Sequence, residues 1–326
     1  MRTLASTGEF SFIDAIERIA GSGGGRVVVG IGDDAAVVRT GGRAAVSTDT
    51  LTEGVHFERD WLSPAALGRR AFRVAVSDLA AMGSGADYVL LSLTLAPSLP
   101  IGDARAIVRG LVRDASACGA RLIGGNVSRG PLVALTVTVI GDARGRVVTR
   151  GGARPGELIA VTGTLGDASA GVELLAAGRR AGALVCAYRR PPLRLDLGQA
   201  LARRGLATAM IDVSDGFAQD LGHLCRSSGC SARVDVEALP LSGALRKNRD
   251  LLQHDVLDYA LGGGEDYELL FCLSDRRALA RAQRICRRRG VRLTVVGTID
   301  SRRPGMVTDA AGRKLAAGYD HFTGRR

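Results

Sequence analysis

Lysine is almost absent from this 326-residue chain: of its 44 basic residues, only Lys247 and Lys314 are lysines. A Walker A loop ends in Gly-Lys-Ser/Thr and the common protein-kinase pattern needs a strand lysine. Lys247 lies in Leu-Arg-Lys-Asn and Lys314 in Gly-Arg-Lys-Leu, so neither pattern is present and any use of ATP must rest on other groups. Aromatic residues make up only 4%, and the arginines are scattered singly along the sequence. Despite a net charge of +11, this gives no stacking platform on a basic stripe, and no nucleic-acid partner is expected. The arginine excess reads as composition bias. No apolar run approaches the ~20 residues of a membrane span, and Met1 to Phe10 holds no signal-like run, so a cytoplasmic protein with no membrane partner is expected. The cysteines at 118, 186, 225, 230, 272 and 286 form no Cys-x-x-Cys pair and no Cys/His cluster at zinc spacing. Reduced, mostly buried thiols are expected.

What is present describes a globular α/β chain. Hydrophobic residues make up 46%, and the length favours two domains over one core. Strand-like runs at 26–29, 44–47, 88–96 and 132–140 alternate with helix-like stretches at 64–82 and 103–117. Gly141 to Arg146 is turn-rich, which sets the expected domains at 1–148 and 149–326. In the second half, strands are expected at 158–162, 208–213, 232–236, 267–273 and 293–299. Helices are expected near 167–177, 216–227, 254–261 and 275–289.

Five segments set carboxylates among glycine, serine and threonine: Gly32 to Asp34, Ser47 to Thr50, Ser77-Asp78, Asp212 to Gly216 and Gly262 to Glu268. Several follow apolar strands, where ligand sites form in α/β folds. Clustered carboxylates repel one another unless a cation compensates them, and magnesium is the first expectation. Each segment taken singly also reads as a turn or helix cap. Asp78 stands apart. Ser63-Pro64 starts a helix and Gly83 stops it, and at about 100° per residue Leu67, Ala71, Val74, Asp78 and Met82 share one face. A carboxylate on that apolar stripe needs a cation, metal or arginine. Gly163 to Gly171 joins a strand to a helix, which suits either a phosphate at the helix N-terminus or simple packing against the sheet.

Taken together, Gly30 to Asp34, Ser47 to Thr50, Gly54 to Phe57, Ser77 to Gly83, Asp212 to Gly216, Gly263 to Glu268 and Gly318 to Phe322 resemble the thiamine-monophosphate kinase family, in family order along nearly the whole chain. The resemblance implies an α/β fold with mixed sheets of the two-domain aminoimidazole ribonucleotide synthetase-like type. It also implies a homodimer formed through the N-terminal sheets, and ATP-dependent phosphorylation of thiamine monophosphate with several Mg2+ ions. Asp34, Ser47, Thr48, Asp49, Asp78, Asn126, Asp212 and Asp215 would then hold metal. Gly125, Asn126, Arg150 and Ser214 would contact ATP, and His56, Glu265 and Tyr319 the thiamine monophosphate. Asp49, Asp78, Asp212 and Arg150 would carry the catalysis.

Two departures stand out. Asn126 in Gly124-Gly-Asn-Val-Ser-Arg-Gly130 replaces the family's carboxylate, keeping an amide oxygen but losing a charge, and Ala75 stands where the family has asparagine. A non-catalytic binder of thiamine phosphates and a sister enzyme of the same superfamily are the alternatives. The first cysteine is Cys118, whereas selenophosphate synthetases typically carry a reactive Cys or selenocysteine near the N-terminus.

Overall fold

A computed structural model describes residues 9–21, 25–29, 31, 37–301 and 303–315. The chain divides into two compact units, one of Met1–Leu79 with Gly85–Arg144, the other of Ala80–Ser84 with Gly145–Arg326.

The first unit contains helix α1 (Glu9–Ala20), strands β1 (Val27–Val29), β2 (Val37–Val38) and β3 (Ala44–Thr52), helix α2 (Pro64–Ala81, its last residues passing into the other unit), strand β4 (Tyr88–Leu95), helix α3 (Ile101–Ala117), and strands β5 (Arg121–Arg129) and β6 (Ala134–Asp142). β1 and β2 form an antiparallel ribbon. The others form a mixed sheet in the order β3-β6-β4-β5, with β4 and β5 parallel on either side of the α3 crossover. Period-two alternation along β6 divides the sheet into faces. Leu135, Val137 and Val139 are buried on one, while Thr136, Thr138 and Ile140 occupy the other. β5 had no place among the expected strands because Gly124, Gly125 and Asn126 are poor strand formers; pairing with β4 along its length overrides that preference.

Helix α2 begins where Ser63-Pro64 predicts. The amide of Ala66 donates to Ser63 Oγ at 3.3 Å, and Gly83 at φ 68° lies just beyond the end. The stripe expectation needs correction. Arg70, Phe72, Ala75, Val76 and Leu79 are buried beside Leu67, Ala71 and Val74, so the helix is covered on most sides, while Asp78 is only half-buried.

The second unit contains β7 (Leu158–Thr162), α4 (Asp167–Ala176), α5 (Ala183–Arg189), α6 (Leu195–Arg203), β8 (Ala207–Asp212), α7 (Phe217–Ser228), β9 (Ser231–Val234), α8 (Gly243–Lys247), α9 (Val256–Gly262), β10 (Leu269–Leu273), α10 (Arg276–Arg287), β11 (Leu293–Asp300) and β12 (Val307–Asp309). Its six-stranded sheet runs β12-β9-β11-β7-β10-β8, antiparallel except where β12 meets β9. β10 lies inside the sheet and is buried at every residue, which accounts for its unbroken Leu-Leu-Phe-Cys-Leu run. Cys225, Cys230, Cys272 and Cys286 are buried free thiols, Cys118 is partly covered and Cys186 is exposed. Among the described residues, no helix is long and apolar enough to cross a membrane.

Candidate functional site

In the first unit, Ser47 and Asp49 point to the helix-covered face of edge strand β3, opposite Val139 and Val137. From α2, Asp78 meets this face, and its Oδ2 accepts a short hydrogen bond from Ser47 Oγ. Ser47 thus engages Asp78 through its side-chain hydroxyl. Thr48 faces the other way and shares a hydrogen bond with Thr138 at 3.0 Å.

Asn126 is on that outer face too. The register aligns Thr50, Thr136, Ser92 and Asn126 across the sheet, and the neighbouring Thr94–Ser128 hydroxyl pair at 3.2 Å confirms which way β5 is turned. Three strand spacings, about 14 Å, separate β5 from β3. Within one copy of this unit, Asn126 therefore does not join Ser47, Asp49 and Asp78. Gly125 is a backbone requirement: at φ 150°, a Cβ there would lie 1.9 Å from the Leu91 carbonyl oxygen. Past the end of β3, His56 Nδ1 accepts from the Thr52 amide at 3.1 Å, which places the hydrogen of the neutral ring on Nε2. Asp34 and Tyr319 lie outside the described residues.

In the second unit, two of the carboxylate segments are neighbours. β8 pairs with β10 so that Asp212 faces Leu269, and the pairing continues past both strand ends. The Val213 amide donates to the Glu268 carbonyl at 2.9 Å, Tyr267 to Val213 at 2.7 Å, and Glu265 to Ser214 at 2.7 Å. Gly264 permits the approach, since at φ 69° its Cβ would lie 2.6 Å from the Ser214 carbonyl oxygen. Arg150 is exposed, and its carbonyl accepts from Ser228 Oγ at 3.0 Å.

Not every acid here is available to a ligand. Glu268 is buried in a two-pronged pair with Arg194, both contacts at 2.6 Å, and also accepts from Thr162. Asp266 is buried and accepts from the Gly166 amide at 2.9 and 3.1 Å. The N-terminus of α4, which could have served a phosphate, is thus filled by the chain's own carboxylate. Burial pushes the Asp266 carboxyl well above its usual range. Glu265 is half-buried and held at φ 67°, a strained conformation for a side chain other than glycine.

Asp220 was not among the expected site residues. From the first turn of α7 its Oδ2 accepts the amides of Ser214, Asp215 and Gly216 at 3.0, 3.1 and 3.2 Å, tying down the loop that carries Ser214 and Asp215. The only available signal was an acid four residues after Asp-Gly at a helix start.

The donor set suits a hard divalent cation. Burial, then repulsion from Asp212 and Asp215, pushes Asp220 up to about 8. A cation at Asp212 and Asp215 would relieve that repulsion. Among the described residues, no group of three or more His, Cys, Asp or Glu converges to hold a metal alone. Magnesium commonly takes one or two carboxylates and completes its shell with water and substrate phosphate, so this arrangement fits.

Comparison with known proteins agrees with the fold. Residues 32–143 match the N-terminal domain, and residues 154–309 the C-terminal domain, of AIR synthase related protein. The thiamine-monophosphate kinase of Escherichia coli K12 is 39% identical over 329 aligned positions, covering 97% of this chain and 98% of that protein. The chain belongs to the thiamine-monophosphate kinase family. Solved structures of the family superpose along almost its full length. That from Stenotrophomonas maltophilia K279a has a TM-score of 0.82 at 35% identity, covering 94% of this chain and 97% of its own. AaThiL complexed with AMPPCP and TMP has a TM-score of 0.78 at 31% identity, covering 99% of both chains. The two-domain α/β fold with mixed sheets is that of the family.

Proposed function

We propose that this chain transfers the γ-phosphoryl group of ATP to thiamine monophosphate, giving ADP and thiamine diphosphate in the cytoplasm. What carries this reading is the full-length similarity to thiamine-monophosphate kinases, joined to the packing of Asp212–Gly216 against Gly262–Glu268 in the second unit.

The acceptor is a phosphate monoester already ionised near neutral pH, so its oxygen attacks the γ-phosphorus directly and no strong general base is needed. The obstacle is repulsion between two polyanions. Asp34, Asp49 and Asp78 with Ser47 in the first unit, and Asp212 and Asp215 in the second, would hold magnesium, which supplies charge neutralisation when bound, while Thr48, on the outer sheet face, would serve a different ion from that at Asp49. Asn126, on the outer sheet face, would contribute an amide oxygen to a different ion from that at Asp49. Arg150, Ser214 and Gly125 serve ATP, Arg150 through its charge. Glu265, His56 and Tyr319 hold thiamine monophosphate, Glu265 from the loop that packs against Ser214.

A homodimer through the outer sheet face is part of the same reading, supported by the 64% exposure of Val46 on that face. The function is tested by supplying ATP, magnesium and thiamine monophosphate together: ADP and thiamine diphosphate in equal amounts support it, and ADP without thiamine diphosphate contradicts it.

A further inference from the structure

Helix α7 follows directly on the loop of Asp212 to Gly216, and one of its faces carries Gln219, His223 and Arg226 at helical spacing. Gln219 Nε2 donates to Asp215 Oδ2 at 3.4 Å. One turn on, Arg226 Nη2 lies 2.9 Å from His223 Nδ1. A guanidinium only donates, so Nδ1 accepts and the neutral ring keeps its hydrogen on Nε2. Burial, then the charges of Arg226 and Arg150, push His223 below its usual range against an opposing pull from Asp215. The ring therefore lies in the fields of a carboxylate assigned to metal and an arginine assigned to ATP. Its partner is held in place as well: Arg226 Cγ packs so closely on Gly305 that a Cβ there would lie 2.3 Å away.

Complementing the negative end of the helix dipole would explain Arg226 alone. It does not explain a half-buried imidazole locked in one tautomer on the helix face whose Gln219, one turn earlier, holds Asp215. We infer that His223 is a nucleotide-contacting residue whose Nε2–H donates to a phosphate oxygen of ATP, with Arg226 as the positioning residue that fixes its tautomer. This rests on the kinase reading above.

The test measures affinity for a non-hydrolysable ATP analogue by calorimetry, with and without magnesium, beside the KM for each substrate and the Tm. Loss of one hydrogen bond to a charged group predicts that His223→Ala weakens analogue binding and raises the KM for ATP about 10-fold or more, with the KM for thiamine monophosphate within about two-fold. His223→Gln, which places an N–H near the Nε2 position, restores most of the affinity, whereas His223→Asn does not. Arg226→Ala weakens the analogue about three-fold. A folded His223→Ala protein with unchanged analogue affinity, or rescue by Asn rather than Gln, overturns the assignment. If the alanine variant fails to fold, unchanged binding in both His223→Asn and Arg226→Ala overturns it equally. A wild-type protein that binds the analogue with this pattern but makes no thiamine diphosphate would sink the kinase reading and leave the His223 contact standing.

Discussion

The Ser47 hydroxyl donates a hydrogen bond to Asp78 Oδ2, tying edge strand β3 to helix α2 across 31 residues of sequence. A carboxylate fixed this way keeps its other oxygen oriented for a cation. Ser47→Ala removes the bond and spares the backbone. At limiting magnesium, activity is expected to fall about five- to ten-fold, recovering as magnesium saturates, with stability changed by about 1 kcal/mol. Magnesium titrations of both proteins check it, and identical half-saturation would show that the bond serves the fold alone.

Asp220 gives a signed pH dependence. Its folded pKa of about 8 lies above the usual carboxylate value, so between about 4 and 8 the folded state binds a proton that the unfolded state has lost. Stability without metal therefore falls as pH rises through that window. Asp220→Asn cannot ionise, so its Tm relative to wild type is expected to rise by about 2–5 °C from pH 5.5 to pH 8.5. A pH-independent gap would contradict the assignment. Magnesium is expected to narrow the effect by lowering the repulsion from Asp212 and Asp215.

Strain at Glu265 separates stability from binding. Glycine adopts φ 67° without penalty, so Glu265→Gly is expected to gain about 1 kcal/mol of stability. The same change removes the carboxylate assigned to substrate and raises the KM for thiamine monophosphate about 10-fold or more, with the KM for ATP little altered. Chemical denaturation and steady-state kinetics read the two effects independently. A more stable protein with unchanged kinetics would take Glu265 out of the substrate site.

Asn126 supplies the complementary gain of function. Asn126→Asp adds a negative charge to the outer sheet face and is expected to lower the magnesium concentration for half-maximal activity about three- to ten-fold. An unchanged or raised requirement would remove position 126 from the metal set.

Much of this architecture is legible in the residues. Leu158–Thr162 is a strand where its apolar run predicts, and Ser63-Pro64 with Gly83 brackets α2. β5 is hidden because its glycines and asparagine contradict strand preference until β4 pairs with them. Helices α5 and α6 lie outside the expected set because the Arg189-Arg-Pro-Pro192 break obscures their periodicity. In the candidate site, the carboxylate segments stand out in the sequence, but their neighbours do not. That Gly262–Glu268 lies against Asp212–Gly216 depends on β8–β10 pairing between residues more than fifty positions apart. The internal pairing of Asp266 and Glu268, and the hold of Asp220 on the loop before α7, likewise arise from tertiary contacts.

The central claim is direct phosphoryl transfer to a phosphate acceptor, and the most direct measurement follows label from γ-labelled ATP, with unphosphorylated thiamine as the control acceptor. The account predicts that label enters thiamine diphosphate only when thiamine monophosphate is supplied, matches the ADP formed, and never chases from a phosphorylated enzyme. Label trapped on the protein, or ADP formed with no labelled thiamine diphosphate, would contradict it.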